Sequence, residues 1–305
     1  VVLVQFINFI NAFMNTLSKL KKISAAALML IGLPFFAVAD IAPVEMNVSS
    51  FNMMLLATRV NPNPKFTEYS KVTMRAWEKR KDMLMPLFKY HDFDICGAQE
   101  LKTKQIEYLF PNDVYAYVDD TPSIKSIYMS NVIIYKKGRF EVLDSGVFLL
   151  TQSKGDRHCQ WAKFKEKKSG REFFVFNIHA EAHNGKLLRL ESAKTVVSKI
   201  SEIAKGSVFF LTGDFNAQKG SPEMDVYFNS GILRDAKEIS KTPVYGPKTN
   251  GAFQYEKGAV DLKGTPIDFI FVSRGVNVEK FAVLSDHDSG IYPSDHLPLA
   301  ARVKF

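Results

Sequence analysis

Two cysteines in 305 residues exclude a disulfide scaffold and any zinc centre built from several thiolates. Glycine and proline are also scarce, at 17 and 13 residues, which excludes a collagen-like or low-complexity chain. No repeat, long linker or charge block follows residue 40. No uninterrupted apolar run reaches the roughly 20 residues that a membrane-spanning helix needs. What is present is 46% hydrophobic and 12% aromatic residues, enough for a sizeable core. Charged residues make up 24%, with a formal net charge of +8. Part of that excess sits near the N-terminus, so the remainder is mildly basic. It is compatible with a phosphate-bearing substrate without specifying one.

Lys19, Lys21 and Lys22 precede an apolar run from Ile23 to Val38, which closes Ala37-Val38-Ala39 before Asp40. A basic stub, a short apolar stretch and a small-x-small ending are the parts of a secretory signal peptide. Residues 14–39 are therefore expected to be cleaved, with Met14 as the natural start and residues 1–13 as an upstream over-extension. Residues 40–305 are expected as a secreted or periplasmic monomer with no stable membrane span. The rival is a retained anchor. Cys96 and Cys159 lie in or beside apolar strand-like runs and are expected as buried thiols.

Apolar runs of strand length recur at Val48–Leu56, Asp94–Ala98, Asn131–Tyr135, Val142–Leu150, Trp161–Phe164, Glu172–His179, Val208–Gly213, Ile267–Ser273 and Leu299–Val303. Tyr135–Phe140 and Lys165–Arg171 read as hairpin turns. Arg75–Tyr90 reads as a helix with Trp77, Met83, Leu84, Leu87 and Phe88 largely on one face, kinked or shortened by Pro86. Leu187–Ala204 reads as a second, with Leu187, Leu190, Val197, Ile200 and Ile203 at helical spacing. Many strands with a few separated helices predict an α+β protein, sheet on sheet with outer helices.

Polar clusters gather in or beside these strands. Asn52 follows the first, and Gln99-Glu100 closes the second. Asn177-Ile178-His179, Gly213-Asp214-Phe215-Asn216, Pro266-Ile267-Asp268 and Ser294-Asp295-His296 follow in order. Strand ends are where a scaffold presents several side chains to one cleft. Glu100 and Asp295 are hard oxygen ligands suited to Mg²⁺. Asn52, Asn216 and His179 carry donors for phosphate oxygens. Asp268 is suited to orient His296, whose imidazole would manage a proton. A cation and neutral donors around a phosphorus centre stabilise the charge that develops there.

Six such clusters in this order resemble the endonuclease/exonuclease/phosphatase superfamily of deoxyribonuclease I-like metal-dependent phosphoesterases, over nearly the whole chain from Asn47. The resemblance implies a four-layered α/β sandwich, two mixed β-sheets packed face to face with helices outside. It implies hydrolysis of phosphodiester bonds, first by a nuclease on DNA or RNA. The alternative is a phosphatase or phosphodiesterase on a phosphoinositide or another small phosphate ester, and then a non-catalytic binding protein on the same fold. Glu100 is implied as principal metal ligand, with Asn52 and Asp295 beside the metal, Mg²⁺ or its substitutes Mn²⁺ and Ca²⁺. Asp214 and Asn216 would position water and phosphate. His296 would pair with Asp268, and His179 would face a phosphate oxygen. Arg157 and Asn177 complete the expected phosphate contacts. The general base stays open between Asp214 and His296.

The chain also departs from that pattern. The stretch after His179 is Ala180-Glu181-Ala182-His183-Asn184, where relatives often have His-x-Asp-His. Met129 stands nearest the place of an acidic partner for His179. Ordinary roles compete with several assignments: Asn52 as a turn cap, Asp214 and Asn216 as an Asx turn, His183 as a loop histidine. A zinc pair from His179 and His183 would need a helix, whereas His179 ends a strand.

Overall fold

A computed structural model describes residues 42–57, 59–119, 130–151, 157–182, 185–250 and 264–305. The expected leader, Met129 and His183 lie outside them.

Two six-stranded sheets lie face to face. The first has the order β11-β12-β1-β2-β4-β3 and the second β5-β6-β7-β8-β10-β9. Their strands are β1 (Glu45–Asn52), β2 (Ile95–Leu101), β3 (Tyr115–Tyr117), β4 (Ser130–Lys136), β5 (Phe140–Leu149), β6 (His158–Glu166), β7 (Glu172–His179), β8 (Phe209–Asp214), β9 (Arg234–Asp235), β10 (Asp268–Val272), β11 (Asn277–Val283) and β12 (Leu299–Lys304). Each sheet holds one parallel pair, β1 with β2 and β7 with β8; the other pairings are antiparallel. A parallel pair needs a crossover, and a helix supplies each. Helix α1 (Pro64–Tyr90) joins β1 to β2, and α3 (Lys186–Ala204) joins β7 to β8. Shorter helices α2 (Thr103–Leu109) and α4 (Pro222–Phe228) follow β2 and β8.

The alternation along β7 shows the layering. Phe173 and Val175 enter the core between the sheets with Val48, Ile133 and Phe210. Phe174 and Phe176 point outward to Ala193, Val196 and Ile200 of α3. On the other sheet, Phe51, Cys96 and Ala98 face Trp77, Leu84 and Phe88 of α1. Central strands are thus covered on both faces, which is why β8 and β10 are buried at every residue. The result is the four-layered sandwich, and Ala42–Phe305 form one compact unit.

Local readings differ in four places. Helix α1 begins at Pro64 rather than Arg75 and runs past Pro86 to Tyr90. The proline removes only one bond near the helix end, while Leu84, Leu87 and Phe88 anchor that turn in the core. The buried stripe of α3 is Ala193, Val196, Ile200 and Ala204; Leu187 is 79% exposed. The Lys136–Phe140 turn is no hairpin. It carries the chain from β4 in one sheet to β5 in the other, whereas Lys165–Arg171 does close the β6–β7 hairpin. Both cysteines are buried free thiols, Cys96 under α1 and Cys159 under α3. Among the described residues no helix is long and apolar enough to cross a membrane.

Candidate active site

Strands β1, β2, β7 and β8 all finish at one end of the sandwich, and β10 starts there. Register then places the site residues side by side. His179 is the strand partner of Asp214, and Asp214 of Asp268, so three site residues form a row across the second sheet. Asn52 pairs with Gln99 in the first sheet. Next to it the β2–β4 ladder slips between Ala98 and Leu101, and Glu100 takes φ +66°. A bulge residue in the left-handed region is re-aimed relative to its strand, at a strain of about 1–3 kcal/mol. Here it brings the Glu100 carboxylate to the second sheet's row.

Asn52 links the two halves. Its Nδ2 donates to Glu100 Oε1 at 3.2 Å and to Asp214 Oδ2 at 3.0 Å. Its Oδ1 accepts the Met54 N–H at 3.0 Å, so the turn-cap role and the site role coexist. The Leu55 N–H donates to Glu100 Oε2 at 2.8 Å. Asp214 Oδ1 accepts the Asn216 N–H at 2.9 Å, the Asx turn, with Asn216 at φ +49° and its side-chain amide donating to Ala180 O. Asp214 Oδ2 also lies 3.5 Å from His179 Nε2 and 3.8 Å from His296 Nε2. His296 Nδ1 sits 2.8 Å from Asp268 Oδ2.

Burial sets the charges. It lowers the His179 pKa to about 3, so this imidazole is neutral at ordinary pH; the charge of Arg157 acts in the same direction. Burial raises Asp268 to about 7. It also opposes a charged His296, yet the Asp268 carboxylate, followed by Asp214 and Asp295, lifts that imidazole well above its usual value. Glu100 is raised by burial and then by the charge of Asp295. Among the described residues neither Glu100 nor Asp295 is paired with a lysine or arginine. Two carboxylates without a lysine or arginine ion pair, one of them Glu100 held by the Asn52 amide, suit a hard divalent cation. Asp214, Asp268 and His296 form a second cluster, with ligand atoms within 4.8 Å of one another. There the Asp268–His296 contact already occupies a ring nitrogen and a carboxylate oxygen, so the Glu100 and Asp295 carboxylates are the better oxygen donors, with Asn52 holding Glu100 in place through its Nδ2.

Arg157 acts on His179 through its charge, and its Nε lies 3.9 Å from Glu181 Oε2. Asn177 does not reach the cleft, and its expected phosphate contact is corrected. It is fully buried. Its amide donates to Ala98 O at 2.8 Å and Val132 O at 3.4 Å. Its oxygen accepts Gln99 Nε2 at 2.7 Å and the Thr212 hydroxyl at 3.2 Å. With its donors and acceptor used inside the core, it is a stitch between the sheets directly beneath the site. Gly97 permits this approach: a Cβ there would stand 1.9 Å from Thr212 Oγ1 and 2.6 Å from Asn177 Oδ1.

Two residues support the site in roles the sequence did not assign: Ser294, named there only within its cluster, and Arg80, which was not singled out. Ser294 donates to Asn52 O at 2.6 Å and accepts the His296 N–H at 3.2 Å. Arg80, fully buried on α1, donates to Met53 O (2.7 Å), Met54 O (2.6 Å) and Pro293 O (3.0 Å). It ties the loop after Asn52 to the loop before Asp295. The available signal was an arginine three residues after Trp77 and four before Leu84, within an apolar stripe.

The family's sequence profile, described as the endonuclease/exonuclease/phosphatase family, matches residues 47–296. The chain belongs to the endonuclease/exonuclease/phosphatase family. It is similar to an endonuclease/exonuclease/phosphatase family protein from Bacteroides thetaiotaomicron, 27% identical, covering 86% of this chain and 98% of the other with a TM-score of 0.72. It is also similar to a mannosyl-6-phosphatase from the same organism, 28% identical, covering 85% and 100% with a TM-score of 0.71. Nocturnin from Drosophila melanogaster is 24% identical over 173 residues, 52% of this chain but only 27% of that protein's length. Members of the family hydrolyse phosphate esters and are typically divalent-metal dependent.

Proposed function

We propose that this chain is a Mg²⁺-dependent hydrolase of small phosphate esters. The observation that carries the reading is the convergence of Glu100, Asp295 and Asn52 with Asp214 and the Asp268–His296 pair at one end of the sandwich. Glu100 and Asp295, aided by Asn52, would hold the cation. When bound it supplies positive charge against phosphate oxygens.

The chain's own groups divide the remaining work. Asp214, fixed by Asn52 and the Asn216 N–H, orients a water towards phosphorus and takes its proton. Asp268 keeps His296 protonated with Nε2 towards the cleft, where it donates a proton to the leaving alcohol oxygen as the ester bond breaks. Neutral His179 and the nearby Arg157 donate to the phosphoryl oxygens. The intact set of charged residues argues against a binding protein that has lost catalysis.

Substrate size is read from two supports. A solved relative 28% identical, covering 85% of this chain, is a mannosyl-6-phosphatase. A compact cavity of about 460 Å³ also borders Asp268, within the range of small-molecule sites. This ranks a small ester above the nuclease first expected. The basic stub, apolar stretch and Ala37-Val38-Ala39 ending support action outside the cytoplasm. A Mg²⁺-containing panel of sugar phosphates, a phosphoinositide, plasmid DNA and RNA tests the ranking. Preferential cleavage of either nucleic acid would reverse it.

A further inference from the structure

The cavity beside Asp268 lies between the strand ends next along from the reaction centre. Asp268 and Phe269 of β10 and the loop after β9 bound it on one side, with Phe281 and Val283 of β11 and Leu299 of β12 on the other. Leu299 follows His296 by three residues, and Gln218 follows Asn216 by two, so the cavity continues the site along the same end of the sandwich.

Its chemistry is mixed in a particular way. Phe281 and Leu299 are buried core residues and give it an apolar floor. Around the rim, Lys219 is ion-paired with Glu238. Lys237 acts on the buried Asp235 through its charge, and neither it nor Lys248 makes an ion pair among the described residues. Gln218 accepts the Thr265 hydroxyl through Oε1, which leaves its amide N–H groups as donors. Asp268 is 3% exposed, and its Oδ1 has no hydrogen-bond partner among the described residues. A buried carboxylate oxygen without a donor is costly unless a ligand or water supplies one. Acids and lysines roughly balance, so the rim offers no net field for a second anion. Donors and acceptors spaced around an apolar floor match an uncharged ring with hydroxyl groups on its edge and C–H groups on its face.

We infer that this cavity binds the leaving-group half of the substrate, a polyhydroxylated ring, with hydroxyls meeting Lys237, Lys248, the Gln218 amide and Asp268 Oδ1. The inference rests on the phosphoesterase reading for its place in the reaction, while the cavity's affinity for such a ring can be measured without turnover.

The experiment uses the full chain with Mg²⁺ and three probes: glucose 6-phosphate, p-nitrophenyl phosphate and inorganic phosphate. Calorimetry measures binding, and phosphate release measures turnover. Glucose 6-phosphate is expected to bind more tightly than inorganic phosphate. Lys237→Met with Lys248→Met is expected to weaken glucose 6-phosphate about 10-fold more than it weakens inorganic phosphate, the scale of one charged hydrogen bond. It should lower kcat/KM for the sugar phosphate more than for the aryl phosphate. Val244→Trp, which fills the cavity, should act in the same direction. Lysine-dependent sugar binding with no turnover of either ester would uphold the cavity and defeat the phosphoesterase reading. Turnover of p-nitrophenyl phosphate, with glucose 6-phosphate bound no better than phosphate or with all probes weakened equally, would overturn the cavity and leave that reading standing.

Discussion

Asp268 Oδ2 lies 2.8 Å from His296 Nδ1, and that contact determines which imidazole nitrogen meets the cleft. Burial alone would suppress the imidazolium, but the Asp268 carboxylate outweighs it, so His296 titrates well above an ordinary histidine. Asp268→Asn removes the largest raising charge, and the His296 pKa falls. A step that needs protonated His296 is then lost at lower pH. The alkaline limb of kcat is expected to move down the pH scale, with a rate loss on the order of 10²–10⁴. His296→Ala should cost a similar factor, and the double substitution should be far less than additive because the two act as one unit. A pH profile whose alkaline limb does not move in Asp268→Asn would remove His296 from the proton-donating role.

Gly97→Ala tests the contact between the sheets. The added methyl would meet Thr212 Oγ1 and Asn177 Oδ1 far inside van der Waals distance. Overpacking of this kind typically costs about 1–3 kcal/mol. Thermal unfolding should show that loss, and kcat should fall as well, because Gly97 lies beneath both halves of the site. Unaltered stability would mean that the sheets are not locked there.

Arg80→Met tests the loop tie. It keeps an unbranched stem but removes the guanidinium, so the Met53 and Pro293 carbonyls lose this donor while Met54 O keeps Gln105 Nε2, at a cost of about 1–3 kcal/mol for an unsatisfied group. Tm should fall, and the Mg²⁺ concentration for half-maximal rate should rise, because the two loops that Arg80 joins follow Asn52 and lead into Asp295. A drop in Tm with an unchanged metal requirement would limit Arg80 to stability.

Cys96 and Cys159 should resist alkylation by iodoacetamide at pH 8 in the folded protein and react after unfolding. Burial pushes the Cys96 thiol up to about 12 and raises Cys159 as well, so neither holds appreciable thiolate. Rapid modification of the native protein would show that the surrounding layers open.

The site was largely legible because its residues stand at strand ends, where apolar runs stop and polar residues are conspicuous. Asn52, Glu100, His179, Asp214, Asn216, Asp268, Asp295 and His296 all lie at one end of the sandwich. Asn177 misled for the same reason. Its place two residues before His179 puts it on the same face of β7, but two positions of depth turn a cleft residue into a core residue. Arg80 and the supporting role of Ser294 were hidden because their partners are backbone carbonyls and amides brought close only by tertiary structure. In the fold, β3, β9 and β11 were missed. β9 has two residues and β3 three, while β11 alternates buried and exposed positions at a sheet edge, without a continuous apolar run. The Lys136–Phe140 turn has hairpin chemistry, but pairing partners are set by which sheet buries each apolar face.

The most direct test of the central claim is phosphate release from a small ester with and without chelator, in the wild type, Glu100→Ala and His296→Ala. Chelation is expected to abolish wild-type hydrolysis, and Mg²⁺ to restore it. Glu100→Ala should be slow at ordinary Mg²⁺ and partly recover in excess, because the lost carboxylate weakens metal binding. His296→Ala should stay slow at every Mg²⁺ concentration, since proton transfer is what it lacks. Hydrolysis that survives chelation, or near-full turnover by His296→Ala, would contradict the account.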